Sequence, residues 1–86
     1  MEINKLIELV KEKITKEITI QKINVEDKSF LHKGHTNNFP NKFHIKISIV
    51  SEELKFKKKI DSTKLIYKIL ENELKNYIHS IQISVN

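Results

Sequence analysis

Between Glu2 and Lys16 the apolar residues Ile3, Leu6, Ile7, Val10 and Ile14 recur at three- or four-residue intervals, so a helix gathers them on one stripe. The β-branched residues Ile18, Thr19, Ile20, Ile23 and Val25 then predict a strand, and the slip in alternation between Ile20 and Ile23 predicts a bulge or early turn near Gln21 and Lys22. From Lys28 to Lys42 the chain is polar and holds its only Gly and only Pro, the pattern of a long loop. Phe43, Ile45, Ile47 and Ile49 alternate with His44, Lys46 and Ser48, predicting a strand with one buried and one open face. Ser51 followed by Glu52 and Glu53 reads as a helix cap and first turn, and Asp61 or Ser62 as the cap of a second start. Leu65, Ile66, Ile69, Leu70, Leu74 and Tyr77 return to helical spacing, and His79, Ile81, Ile83 and Val85 alternate with polar residues as a terminal strand.

This order predicts an α+β domain with a mixed three-stranded sheet and its helices on one face. The first two strands pair antiparallel across the loop, and a right-handed helical crossover makes the second and last parallel. The polar residues of the strands form the open face, which needs no ligand to explain it.

Length narrows the function. The 86 residues suit a single domain over 1–86. A domain of this size buries only roughly 60–65% of its unfolded surface, so its apolar residues serve one core. A binding module is favoured over an enzyme. With no Cys there is no disulfide, thiolate ligand or cysteine nucleophile, and no nucleophile elbow or phosphate loop is present. The acid pair Glu52 and Glu53 balances a helix dipole. The first segment has no long apolar stretch, which predicts a soluble monomer without a membrane association, in the cytoplasm or an organelle matrix after removal of any targeting segment.

The net charge of +5 comes entirely from lysine, since Arg is absent. Lysine excess keeps a small protein soluble, whereas bidentate phosphate and base recognition favours arginine. Lys55, Lys57, Lys58 and Lys59 cluster between the two predicted helical starts, where nonspecific phosphate contact, an acidic patch on a partner or a solvated turn are all open readings. A glycine-rich RNA clamp there is excluded, because Gly34 is the only glycine. His32 and His35 place two imidazoles three residues apart around Gly34, able to reach one ion or simply solvated. His44 is expected on the open face near the loop base, joining that pair or standing as a surface residue. His79, on the apolar phase of its strand, is expected to pack or hydrogen-bond.

Three stretches together resemble the BolA family. They are Asp27-Lys-Ser-Phe-Leu-His-Lys-Gly-His35, the strand His44-Ile-Lys-Ile-Ser-Ile-Val-Ser51, and Leu65-Ile-Tyr67 followed by Glu73-Leu74 and Ile78-His79. The resemblance runs from about Asn24 to Ser84 and implies an α-β-β-α-α-β fold similar to a type II KH domain. It implies an accessory protein that binds a monothiol glutaredoxin with a Cys-Gly-Phe-Ser site and shares a [2Fe-2S] cluster with it, holding none alone, in iron–sulfur handling or redox signalling. The alternative is a small transcriptional regulator binding nucleic acid through Lys55, Lys57, Lys58 and Lys59.

In the cluster-sharing picture the loop supplies one histidine, with His35 as first candidate and His32 and His44 as substitutes, and an Arg-His pair opening the long helix supplies another. Here Ser62-Thr63 stand at that pair and Phe56 at a usual glycine. Threonine is a poor iron ligand beside thiolate and imidazole. The glutaredoxin is accordingly expected to dock on the loop, including Gly34, and on the helix start at Thr63 and Lys64, with weakened cluster retention that Thr63→His restores.

Overall fold

The computed structural model describes residues 2–29 and 42–86. Their elements are α1 (Ile3–Glu17), β1 (Lys22–Asp27), β2 (Phe43–Val50), α2 (Glu52–Lys55), α3 (Lys59–Ile69), α4 (Glu71–Asn76) and β3 (Ile78–Val85). The strands form one sheet in the order β1-β2-β3, with β1 antiparallel and β3 parallel to β2. This is the α+β arrangement that the hydrophobic pattern predicts.

The core assembles from two periodicities. In α1, Leu6, Val10 and Ile14 stand four residues apart and are fully buried, because that interval returns to one helix face. In β2, Ile45, Ile47 and Ile49 occupy one face at every second position and are buried with Val25, Leu54, Ile66, Leu70 and Ile78. The opposite face carries His44, Lys46 and Ser48, with Asn24 and Glu26 from β1 and Ser80, Gln82 and Ser84 from β3 beside them. Lys46 and Ser48 are half-buried, since β2 is central and has neighbours on both sides.

Four local expectations give way. β1 starts only at Lys22, and Ile18 is the buried C-cap of α1, its N–H bonded to Ile14 O at 2.9 Å. The slip between Ile20 and Ile23 is therefore a helix-to-strand junction and not a bulge. Neither Asp61 nor Ser62 caps a helix: α3 begins at Lys59 behind Lys58, which makes no side-chain cap, and Asp61 lies in its first turn. The single long helix is divided at Leu70 (φ −97°, ψ 17°) into α3 and α4. The irregularity in the terminal strand falls at His79, because Phe43 faces Ile78 while His44 faces Ser80. Ile78 takes the core position, and His79 leaves the apolar phase and is exposed.

The Ser51 cap does form. Its Oγ accepts from the Leu54 N–H at 3.2 Å and donates to Thr19 O at 2.8 Å, so one buried hydroxyl starts α2 and fastens the α1–β1 junction. No helix among the described residues is long and apolar enough to cross a membrane.

Candidate functional site

Because β2 and β3 are parallel and in register, their first residues lie side by side. β1 is antiparallel to β2, so its last residue, Asp27, lies at the same end, opposite Ile45. This end also carries Lys28, whose N–H bonds to His44 O at 2.7 Å, and Ser29, whose Oγ accepts from the His44 N–H at 3.1 Å. Ser29 is held in turn by its N–H to Asp27 Oδ1 at 2.9 Å, an Asx-type turn at the strand's exit. Residues 30–41 thus connect in sequence to this edge of the sheet on both sides.

A histidine pair sits here. His44 is buried, at 8% exposure, although it belongs to the open face. Its Nδ1 is 2.6 Å from Ser80 Oγ and its Nε2 is 3.2 Å from Nδ1 of the exposed His79. The rings meet edge to face, with centroids 4.7 Å apart at 89°. The extra residue in β3 produces this contact: the irregularity turns His79 out of the core phase toward His44.

With both rings neutral, the contacts admit two proton arrangements. In one, Ser80 donates to His44 Nδ1 and His44 Nε2–H donates to His79 Nδ1. In the other, His79 Nδ1–H donates to His44 Nε2, and His44 Nδ1–H donates to Ser80. The second leaves the lone pair of His79 on Nε2, the tautomer needed for that nitrogen to ligate a metal, with His44 as the orienting partner.

Further along the open face, Lys28 Nζ lies 2.9 Å from Glu26 Oε2, and Asn24 donates to Glu26 Oε1 at 3.0 Å. The hydrogen bond and charge of Lys28 hold the Glu26 carboxyl below its ordinary range.

The sequence-predicted positions divide between the two ends of the sheet. His44 is at the first end, and His32, Gly34 and His35 lie outside the described residues. Thr63 is at the other end, lining a cavity with Val85 and Asn86 where β3 ends. Lys64 follows it, exposed, on α3. The eight residues of β3 separate the two ends by about 23 Å at ~3.3 Å per residue. Thr63 therefore stands about a strand's length from Ser29 and His44 at the first end. His44 is no plain surface residue either, being enclosed by His79, Ser80 and Ser29. Lys55, Lys57, Lys58 and Lys59 are all exposed beside Phe56, which is 86% exposed.

Among the described residues no three His, Cys, Asp or Glu side chains gather as a metal site. A shared metal at the first end would require donors from segment 30–41 or from a partner.

Comparison with known proteins fixes the family. Residues 14–86 match the family model described as BolA-like protein. The chain belongs to the BolA-like family. It is 32% identical over 79 residues to SufE-like protein 1, chloroplastic/mitochondrial, of Arabidopsis thaliana, covering 86% of this chain and 21% of that protein. The chain thus spans about a fifth of that relative's length. Among solved structures it is similar to the BolA domain of SufE1 from A. thaliana, with a TM-score of 0.80, 31% identity and coverage of 94% of this chain and 90% of that one. It also resembles BolA1 from A. thaliana, with a TM-score of 0.77, 24% identity and coverage of 92% and 87%. The mixed sheet, the helices and their order are thus those of BolA domains.

The His44–His79–Ser80 network went unread in the sequence, although its signal was present: both histidines open strands predicted to be parallel neighbours. Glu73, buried at 1% exposure with both carboxylate oxygens on Lys13 Nζ at 2.8 and 2.9 Å, had no such signal. Its partner lies 60 residues away.

Proposed function

We propose that this BolA-like chain is a non-enzymatic accessory protein. It docks a monothiol glutaredoxin at the end of the sheet formed by His44, His79 and the flanks of segment 30–41, and takes part in iron–sulfur cluster handling. The observation that carries this reading is the histidine pair. It supplies an exposed imidazole, His79, whose tautomer a second imidazole can fix, beside the segment that carries His32 and His35. A [2Fe-2S] cluster accepts thiolate and imidazole donors. This chain can offer only imidazoles, so the thiolates fall to the partner.

The donor assignment that suits this geometry is His79 Nε2 with His35 or His32, and position 63 has no part in it. The organellar name of the plant relative supports an organelle matrix as the compartment, with the cytoplasm as the other option.

The test is anaerobic assembly of the complex with a monothiol glutaredoxin, followed by chemical-shift mapping, cluster decay and iron–histidine spectroscopy. We expect shifts centred on Lys28, His44 and His79, fast cluster loss in His79→Ala and His35→Ala, and unchanged retention in Thr63→His. In His44→Phe, loss of the iron–histidine signal with retained heterodimer would mark His44 as a positioning residue. Absence of binding at millimolar concentrations, or better retention in Thr63→His, would overturn the assignment.

The nucleic-acid reading rests on the exposed lysines between α2 and α3 with Phe56 among them. It predicts affinity falling steeply with salt and independent of any glutaredoxin.

A further inference from the structure

At the opposite end of the sheet, a cavity of about 550 Å³ opens between α2, the first turns of α3 and the last residues of β3. Its size is that of a small-molecule site. Ser62 lines it, and Ser62 Oγ is buried, at 1% exposure, with no hydrogen-bond partner. Buried hydroxyls are nearly always paired, so this one, in the wall of the cavity, is left with a donor that a ligand oxygen seated against that wall would satisfy. Lys55, Lys57 and Lys59 also line it, no acidic side chain does, and none of the three lysines forms an ion pair among the described residues. Three ammonium groups outweigh any single negative charge at Asn86. The N-terminus of α3 carries no side-chain cap, which leaves its first N–H groups and the positive end of its dipole on this side.

We propose that this cavity binds the phosphate group of a small phosphorylated molecule. Ser62 Oγ and Thr63 Oγ1 lie at the phosphate oxygens and the lysines around them, while Leu54, Ile83 and Val85 face the compact organic body. The space exceeds a phosphate alone, so a phosphate monoester fits better than the inorganic ion. A nucleic-acid backbone is disfavoured on two counts. The unpaired hydroxyl sits in the buried wall and not on the lysine-bearing rim, and no glycine in 51–63 allows close approach of the backbone to a polymer's phosphates. Ser62-Thr63 would then be a binding pair in their own right.

The experiment is titration of the full ¹⁵N-labelled chain with glycerol 3-phosphate, inorganic phosphate, glycerol and a short DNA duplex in parallel. Saturable shifts at Thr63 and Val85 are expected with both phosphates, tighter for the monoester, and none with glycerol. Ser62→Ala should weaken the monoester about tenfold, the scale of a lost hydrogen bond to a charged group. Its thermal midpoint should match or exceed wild type, since an unpaired buried hydroxyl is removed. Lys57→Gln with Lys59→Gln should weaken it independently, through exposed residues that leave the core intact. Non-saturating shifts with both phosphates, wild-type affinity in Ser62→Ala, or DNA binding that glycerol 3-phosphate does not displace would each overturn the proposal.

Discussion

Replacing Lys13 by Met should destabilise the protein in a manner that depends on pH in a set direction. Lys13 on α1 grips both oxygens of Glu73 on α4, and α4 leads directly into the corner where Tyr77 O accepts from Phe43 N–H and His79 follows. The ion pair thus holds the helix that delivers β3 to the histidine site. Burial by itself would raise the Glu73 carboxyl above its ordinary range. The hydrogen bond from Lys13, with contributions from the Glu73 backbone, Asn72 and the Lys13 charge, overcomes burial and lowers it. Removing the lysine leaves a carboxylate buried at 1% exposure without its cation.

Breaking a fully buried pair from one side costs about 3–5 kcal/mol. The Lys13 side chain is 36% exposed, so water reaches that side. We therefore expect about 2–3 kcal/mol at pH 7, a fall of roughly 8–24 °C in the thermal midpoint for a domain of this size.

The sign with pH follows from the two folded states. In the wild type the carboxyl is lowered, so its contribution is complete above the unfolded value of about 4.3 and disappears as pH falls through the lower folded value. In Lys13→Met only burial and the weaker hydrogen bonds act, so the folded carboxyl rises and protonation relieves the penalty as pH falls. The deficit between the two proteins should therefore be largest at neutral pH and shrink toward acid. Urea unfolding of both at pH 7 and pH 3 measures it, and other titrating groups cancel in the difference. A deficit below about 0.5 kcal/mol, or one equal at both pH values, would show that the pair behaves as a solvent-exposed contact.

Ile47→Ala should cost about 2–5 kcal/mol in urea unfolding, because Ile47 is fully buried on the central strand and paired across both neighbours. Ser51→Ala should cost about 2 kcal/mol, the upper end for a lost N-cap, since the same hydroxyl also serves Thr19 O. A loss under about 0.5 kcal/mol would mean that another group replaces both bonds.

The parts of the fold legible in the sequence are those where one face is dry along a whole element. β2 alternates without error because every second residue meets the core, and α1 shows its stripe because Leu6, Val10 and Ile14 never leave it. Periodicity is blind to short interruptions. Leu65, Ile66, Ile69, Leu70, Leu74 and Tyr77 keep helical spacing straight through the break at Leu70, so α3 and α4 read as one helix. Cap chemistry misleads where the real cap uses none: Lys58 precedes α3 without a side-chain bond, while the good capping residues Asp61 and Ser62 lie inside the helix. A buried polar pair such as Lys13 and Glu73 leaves no local trace, since each residue alone looks like an ordinary solvent-facing charge of its helix.

The contact between His44 and His79 is missed in the sequence for a different reason, which topology supplies. Local resemblance places Thr63 at a named position of a helix but does not say which end of the sheet that helix starts from. The chain leaves the far end of β2 at Val50, makes α2 and enters α3 there, then returns through α4 to begin β3 beside Phe43. Any residue opening α3 must therefore lie a strand's length from the end of the sheet where β1 stops and β2 begins. Any residue opening β3 must lie at that end of the sheet, because parallel neighbours start together. His79 meets that condition and Thr63 does not. An imidazole at position 63 would thus stand at the far end from His44, and the imidazole placed beside His44 is the one the irregularity in β3 turns out of the core.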